Sequence, residues 1–192
     1  MPLGRGKRGN LPGTIGQNDH QTGRSAQALG RSRGGLTTKM HLVVEGRGLP
    51  MTVLITGGNV NDSVVFEQIM AQVRVPRPGG GHPRTTPGVL LGDKGYSARR
   101  IRSYLRRRRI TAVIPEPRDQ QANRARKGSR GGRPPVFDAQ LYKRRNLVER
   151  CFARLKQFRA IATRFDKLAS RYRSGVLLAS LILWLRELSD TP

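Results

Sequence analysis

Acidic residues are scarce in this chain: 12 Asp and Glu stand against 37 Lys and Arg among 192 residues, a formal net charge of +25. An imbalance of that size points to a polyanion as partner, most commonly nucleic acid, with a membrane surface as the other choice. Aromatic residues make up only 5%, which argues against a single-strand binder built on stacking platforms. Cys151 stands alone, so there is no disulfide framework. Three scattered histidines, His20, His41 and His82, offer no recognisable zinc spacing. The opening residues MPLGRGKRGN lack the apolar stretch of a secretory signal. The longest apolar run, VLLASLILWL at 176–185, falls short of the roughly 18–20 residues that span a bilayer. It is expected as a buried core helix. The expected location is the cytoplasm, where nucleic acid is found.

The length allows one domain with a real core and an appended arm. Residues 1–35 are rich in Gly and Arg with almost no apolar periodicity, and are expected as a disordered or partner-ordered arm. Within LTTKMHLVVEGRGLPMTVLITGG (36–58), the β-rich runs KMHLVV and PMTVLIT flank EGRGL, a hairpin-length loop. Asn61-Asp62-Ser63 then precedes VVFEQIMAQV, a helix with Asn61 or Asp62 as N-cap. The Pro/Gly loop at 74–88 has three glycines but no Gly-Lys-Ser/Thr, so it is a poor phosphate-binding loop. In VLLGDKGYS (89–97) the apolar run suits a strand buried on both faces. SARRIRSYLRRRR follows as a basic helix, ITAVIPEP as a short strand, and 118–135 as a low-complexity basic loop. From Asp138 to about Leu188 the pattern is helical, expected as two helices broken near 166–174. Alternation of this kind implies an α/β sheet with helices packed on it.

Two carboxylates stand out. Asp93 sits where a strand runs out, the usual position of sites in open α/β sheets, although a turn-forming Asp is an equal reading. Glu149 lies in YKRRNLVERCFARLK (142–156) as the one acid among six cations. At about 100° per residue, Tyr142, Arg145, Glu149 and Lys156 share a stripe roughly 60° wide beside the apolar face of Val148, Cys151, Phe152 and Leu155. The bland reading of Glu149 is an i,i+4 ion pair with Arg145, worth about 0.2–0.5 kcal/mol. The other is a ligand for a cation that is not a side chain. Asp62 reads as a helix cap, Cys151 as an inert core thiol and Trp184 as core. Arg106–Arg109 reads equally as a solvated helix end or a DNA-backbone contact.

The spacing Tyr142-x2-Arg145-x3-Glu149-x6-Lys156 resembles the Y-x2-R-x3-E-x6-K signature of DDE transposases from bacterial insertion sequences. The blocks GRSRGGLTTKMHL, GNVNDSVVFEQIM, LGDKGYS, AVIPEP and GSRGGRPPVFD are similar to that family too, most of all to its insertion-sequence-five branch. The likeness covers about residues 28–186. It implies an α/β, RNase H-like catalytic core, spanning 36–188 here, in which two Asp and one Glu bind two divalent ions, Mg²⁺ or Mn²⁺. On that likeness Asp93 is the second Asp and Glu149 the Glu, both catalytic and metal-binding. Oxygen ligands suit Mg²⁺, and paired ions serve in-line displacement at phosphorus. Tyr142, Arg145 and Lys156 are then DNA-binding residues near the element ends, the cations on phosphates.

The family's first Asp lies on a first strand upstream of the block GRSRGGLTTK. Here the core is incomplete at that N-terminal strand, and Asp19 is the only upstream acid, without apolar neighbours. The family's amino-terminal DNA-binding region is missing as well. The expectation is the carboxyl-terminal part of a transposase, a fragment or second reading frame, whose intact form cleaves and transfers double-stranded DNA at element ends. Its expected partners are that DNA and either a second copy or an upstream-frame product; no membrane is involved. Alone it is expected to be inactive or weak, and marginally stable, because a lost strand exposes a sheet edge. The alternatives are a catalytically inactive basic DNA-binding protein or transposition modulator, and a ribosomal-type RNA binder, against which the Asp93 and Glu149 contexts count.

Overall fold

The apolar runs KMHLVV and PMTVLIT form the best-developed part of the structure. The computed structural model describes residues 27–33 and 35–189. In it β1 (Gly30–Ser32), β2 (Gly35–Val44) and β3 (Pro50–Gly57) make an antiparallel sheet in that order. Thr38 opposes Gly57 and the ladder runs to Val44 opposite Pro50, with a register shift between Val43 and Val44. The hairpin loop closes on Glu45, whose carboxylate accepts from the backbone N–H of Arg47 at 2.7 Å and of Leu49 at 3.2 Å. Gly48, at φ +92°, supplies the left-handed step this turn needs.

A second, smaller sheet pairs β4 (Val89–Leu91) with β5 (Thr111–Val113) in parallel. The crossover between them is α2 (Arg99–Arg107), which buries Ile101 and Leu105 and leaves Arg99, Arg100, Arg106 and Arg107 exposed. Ahead of this unit lies a short helix, α1 (Phe66–Met70). Its Phe66 and Met70 join Val73, Ile101, Leu105, Ile110 and Ile114 in one apolar cluster. The C-terminal third supplies α3 (Arg118–Arg126), α4 (Ala139–Lys143), α5 (Asn146–Lys156), α6 (Arg159–Thr163) and α7 (Ala169–Ser189). A second cluster joins Cys151 and Leu155 of α5, Ile161 of α6 and Val176 and Leu183 of α7 to Leu49 and Val53 at β3. The whole is α/β with one antiparallel and one parallel sheet, consistent with an RNase H-like superfamily member. No described helix is long and apolar enough to cross a membrane.

Several expectations are corrected. The basic segment 118–135 is not a plain loop: α3 and a 3₁₀ turn at Gly128–Gly131 occupy it. Arg, Gln and Ala are good helix formers, Pro117 sits at the N-cap, and Gly128 at φ +54° ends the run. The helical region from Asp138 holds four helices rather than two, with Arg164 in a left-handed conformation between α6 and α7. VLLASLILWL is helical but only half buried. Val176, Ala179, Ser180 and Leu183 face the core, while Leu177, Leu178, Leu181, Leu185 and Leu188 are exposed. β4 is not buried on both faces either; Val89 is 44% exposed. Trp184 donates to the carbonyl of Pro50 at 2.8 Å and lies under the Arg47 guanidinium. Cys151 is fully buried, and that burial pushes its thiol up to about 11 against the opposing pull of Arg154, so it is an inert core thiol as expected.

Of the arm expected at 1–35, residues 1–26 and Gly34 lie outside the described residues. The guanidinium of Arg164 donates to the carbonyls of Gln27 at 2.7 Å and Ala28 at 3.1 Å. Ala28, at φ +51°, turns the backbone there.

Candidate functional site

Residues from both sheets line one cleft of about 680 Å³. Its walls include Met40–Gly46 of β2 and the following turn, Gly88–Asp93 at β4, the apolar side of α1, and Val148 and Phe152 of α5. Its polar groups include His41, Asp62, Asp93, Tyr96, Arg144 and Arg145.

Asp93 is exposed at the end of β4. It caps the 3₁₀ turn Lys94–Tyr96, its Oδ1 accepting from the Lys94 backbone N–H at 2.6 Å. Thus the turn-forming reading holds, and the side chain still opens to the cleft. Tyr96 follows it into the lining. Burial first, then the charges of Asp62 and Asp93, push the Tyr96 phenol up to about 12.

Asp62 was expected as a helix cap, and this is corrected. The N-cap of α1 is Val65, with no side-chain cap bond. The Asn61 side chain instead accepts from Ser63 N–H at 2.9 Å. Asp62 Oδ1 lies 3.3 Å from both Lys39 Nζ and His41 Nδ1, while His41 Nε2 shares a hydrogen bond with Thr56 Oγ1 at 2.8 Å. A signal for this was present. Lys39 and His41 stand two apart on a strand and so share one face, a polar pair in need of an anion.

Burial lowers the His41 pKa below the ordinary 6.5, outweighing the upward pull of Asp62, with Lys39 adding to the lowering. The unfolded chain then binds the proton more readily than the folded one. Stability is present above pH 6.5 and is lost as pH falls from there towards the lower folded value. His41→Gln is expected to flatten this part of the stability curve. Urea midpoints between about pH 7.5 and 5 check it; a slope unchanged in the variant would contradict the assignment.

Glu149 projects from α5 and is ion-paired with Arg145 one turn earlier. The Arg145 guanidinium lies 5.8 Å from the centroid of the Tyr142 ring, which in turn packs on Phe137 at 5.2 Å. Tyr142, Arg145 and Glu149 thus touch in series, with Arg145 extending into the cleft. Lys156 is exposed at the far end of α5, seven residues on and about 10 Å along the axis. Asp93 and Arg145 line the same cleft, and Glu149 is not part of its lining. Among the described residues no three His, Cys, Asp or Glu side chains gather as a metal-binding group. One oxygen of Asp93 serves its own turn, and Glu149 is held by Arg145. These two donors gather no third among the described residues, so by themselves they are fewer than a pair of ions needs.

A comparison with known families adds what geometry alone does not. The family model described as "Transposase DDE domain" matches residues 13–184. The chain belongs to the DDE transposase family. This DDE-family chain is 32% identical over 148 residues to a candidate transposase for insertion sequence element IS402 from Burkholderia cepacia, covering 77% of this chain and 63% of that protein. It is 30% identical over 151 residues to the corresponding protein of element IS6501 from Brucella ovis, covering 79% of this chain and 100% of that protein. The chain therefore spans less than two thirds of the Burkholderia relative but the full length of the Brucella one. No solved structure matches it significantly.

Proposed function

We propose that this chain is the carboxyl-terminal part of a transposase of the insertion-sequence-five branch, whose intact form cleaves and transfers double-stranded DNA at element ends in the bacterial cytoplasm. The observation that carries the reading is a family match running through both Asp93 and Glu149, on a chain of net charge +25. Asp93 and Glu149 are the proposed holders of Mg²⁺ or Mn²⁺, which in the intact assembly supplies the phosphoryl-transfer chemistry. Tyr142, Arg145 and Lys156 are the proposed contacts to the DNA ends, with Arg145 suited to a bidentate phosphate contact once released from Glu149. A partner from an upstream reading frame, or a second copy, completes the assembly.

Alone, the chain binds DNA and leaves it uncut in this reading, which is supported by the lack of any three-donor metal-binding group among the described residues. The test is a nicking assay on DNA carrying the element's terminal repeats, with Mg²⁺ or Mn²⁺. The isolated chain is expected to give no cleavage. In the intact transposase, Asp93→Ala is expected to lower cleavage by at least about 100-fold, above the cost of losing an outer-shell partner, with DNA binding retained. Full cleavage by that variant would remove Asp93 from the site. Metal-dependent cleavage by the isolated chain, abolished by Asp93→Ala, would show that the chain is active by itself. The second reading, a non-cutting DNA-binding modulator, is favoured by the Arg145–Glu149 pairing.

A further inference from the structure

We propose that the segment 75–84 is an arm that enters the minor groove of A·T-rich double-stranded DNA, with Arg77 and His82 as its reading side chains. Such a role rests on the reading that DNA is the partner. The sequence of the segment, VPRPGGGHPR, sets its shape first. Val75, Arg77 and His82 each precede a proline, and the proline ring disfavours the helical conformation for the residue before it. Both limbs are therefore biased towards extended backbone. Pro78 and Gly79 hold the centre of a turn that the Gly80 N–H closes by donating to the Arg77 carbonyl at 3.1 Å, the placement a type II turn favours. Gly79, Gly80 and Gly81 stand at φ +87°, +86° and +88°, where a side chain would be strained.

The arm is fixed at its base and open at its tip. The Val75 N–H donates to the Arg84 carbonyl at 2.9 Å, and the Arg84 N–H to the Val75 carbonyl at 2.8 Å, an antiparallel bridge between the limbs. Arg108, just after α2, donates to the Thr85 carbonyl at 2.9 Å and to Thr86 Oγ1 at 3.1 Å, which ties the base to the body. Beyond the bridge Pro76–His82 are all exposed, and the three glycines are surrounded by open space. An anchored stem with limbs already extended loses little freedom on binding.

The ligand follows from what the tip carries and what it lacks. Between Pro76 and Pro83 only Arg77 and His82 have polar side chains. The major groove, about 12 Å wide, takes a helix or a full two-stranded ribbon, and a glycine tip leaves it unfilled. The minor groove is about 6 Å wide, and a tip without side chains enters where bulk does not. Narrow A·T tracts concentrate negative potential there, which attracts Arg and His. Proline is among the wedges that minor-groove proteins set between base steps, and Pro78 stands in the turn. Val75 and Arg84 of the stem also line the cleft of Asp93 and Arg145, so DNA gripped by the arm is held at the rim of that cleft.

The test uses three duplexes of equal length, rich in A·T, G·C or I·C pairs, bound by the full chain at one salt concentration and read by fluorescence anisotropy. Inosine lacks the guanine N2 amino group, so I·C looks like A·T in the minor groove and like G·C in the major groove. The A·T and I·C duplexes are expected to bind alike, about 10-fold tighter than the G·C duplex. Replacing both arm residues, Arg77→Ala with His82→Ala, is expected to bring all three to the G·C level. Arg107→Ala, on the exposed side of α2, is expected to weaken all three equally. An I·C duplex that behaves like G·C overturns the proposal in favour of the major groove. Equal binding of all three, weakened evenly by the arm variant, reduces the arm to a phosphate contact and also overturns it. A preference that survives in the arm variant places the reading elsewhere. Binding to none of the duplexes removes the DNA reading itself, and the arm's role with it.

Discussion

Leu155→Ala is expected to destabilise the chain by about 3 kcal/mol, a large part of a typical domain's about 5–15 kcal/mol. Leu155 is fully buried at the centre of the cluster that joins α5, α6 and α7 to β3. Truncation there removes apolar burial and leaves a cavity that packed helices fill poorly. The contrast is Leu185, 56% exposed on the outer face of α7. Leu185→Ala is expected to shift stability by no more than about 0.5 kcal/mol. Urea unfolding of both variants checks the pair. Equal losses would mean that α7 does not bury the face described.

Affinity for double-stranded DNA is expected to fall about 10³-fold or more between 50 and 200 mM salt, as for a protein neutralising about six or more phosphates. Exposed cations include Arg99, Arg100, Arg106 and Arg107 on α2, Arg118 and Arg126 on α3, and Lys143, Arg150 and Lys156 on α4 and α5. Not every arginine is available. Arg108 turns inward to Tyr104, Thr85 and Thr86, and Arg102 donates to the carbonyl of Ile114 at 2.8 Å. Fluorescence anisotropy across the salt series measures the slope. A flat dependence would mean that the basic surface is not the DNA-binding surface.

The β2–β3 hairpin was legible because its signals are local: two β-rich runs and a glycine-bearing loop of fixed length. The amphipathic pattern of α2 and the apolar face of α5 were legible for the same reason. Burial was harder to read. VLLGDKGYS and VLLASLILWL both look like fully buried segments, yet β4 borders an open cleft and α7 shows a row of leucines to solvent. An apolar run records what a chain can bury, and the neighbours that cover it are a tertiary matter. At the candidate site, the shared stripe of Tyr142, Arg145 and Glu149 could be read from helical spacing, whereas Asp93 was marked only by its place at a strand end and by the family resemblance. Asp62 could not be placed, since its bonds to Lys39 and His41 come from a residue over twenty positions earlier in the chain on another element. Helix α3 was missed because basic low complexity masked ordinary helix propensity.

The central claim is that Asp93 and Glu149 are proposed metal donors that gather no third donor among the described residues and so hold no ion tightly by themselves. Titration of the isolated chain with Mn²⁺, followed by water-proton relaxation, tests it most directly. The expected result is no saturable site tighter than about 1 mM, an affinity typical of isolated weak oxygen sites, and no change with Asp93→Ala or Glu149→Ala. A one-to-one Mn²⁺ site lost in both variants would contradict the account, showing that the two carboxylates hold an ion without a further donor.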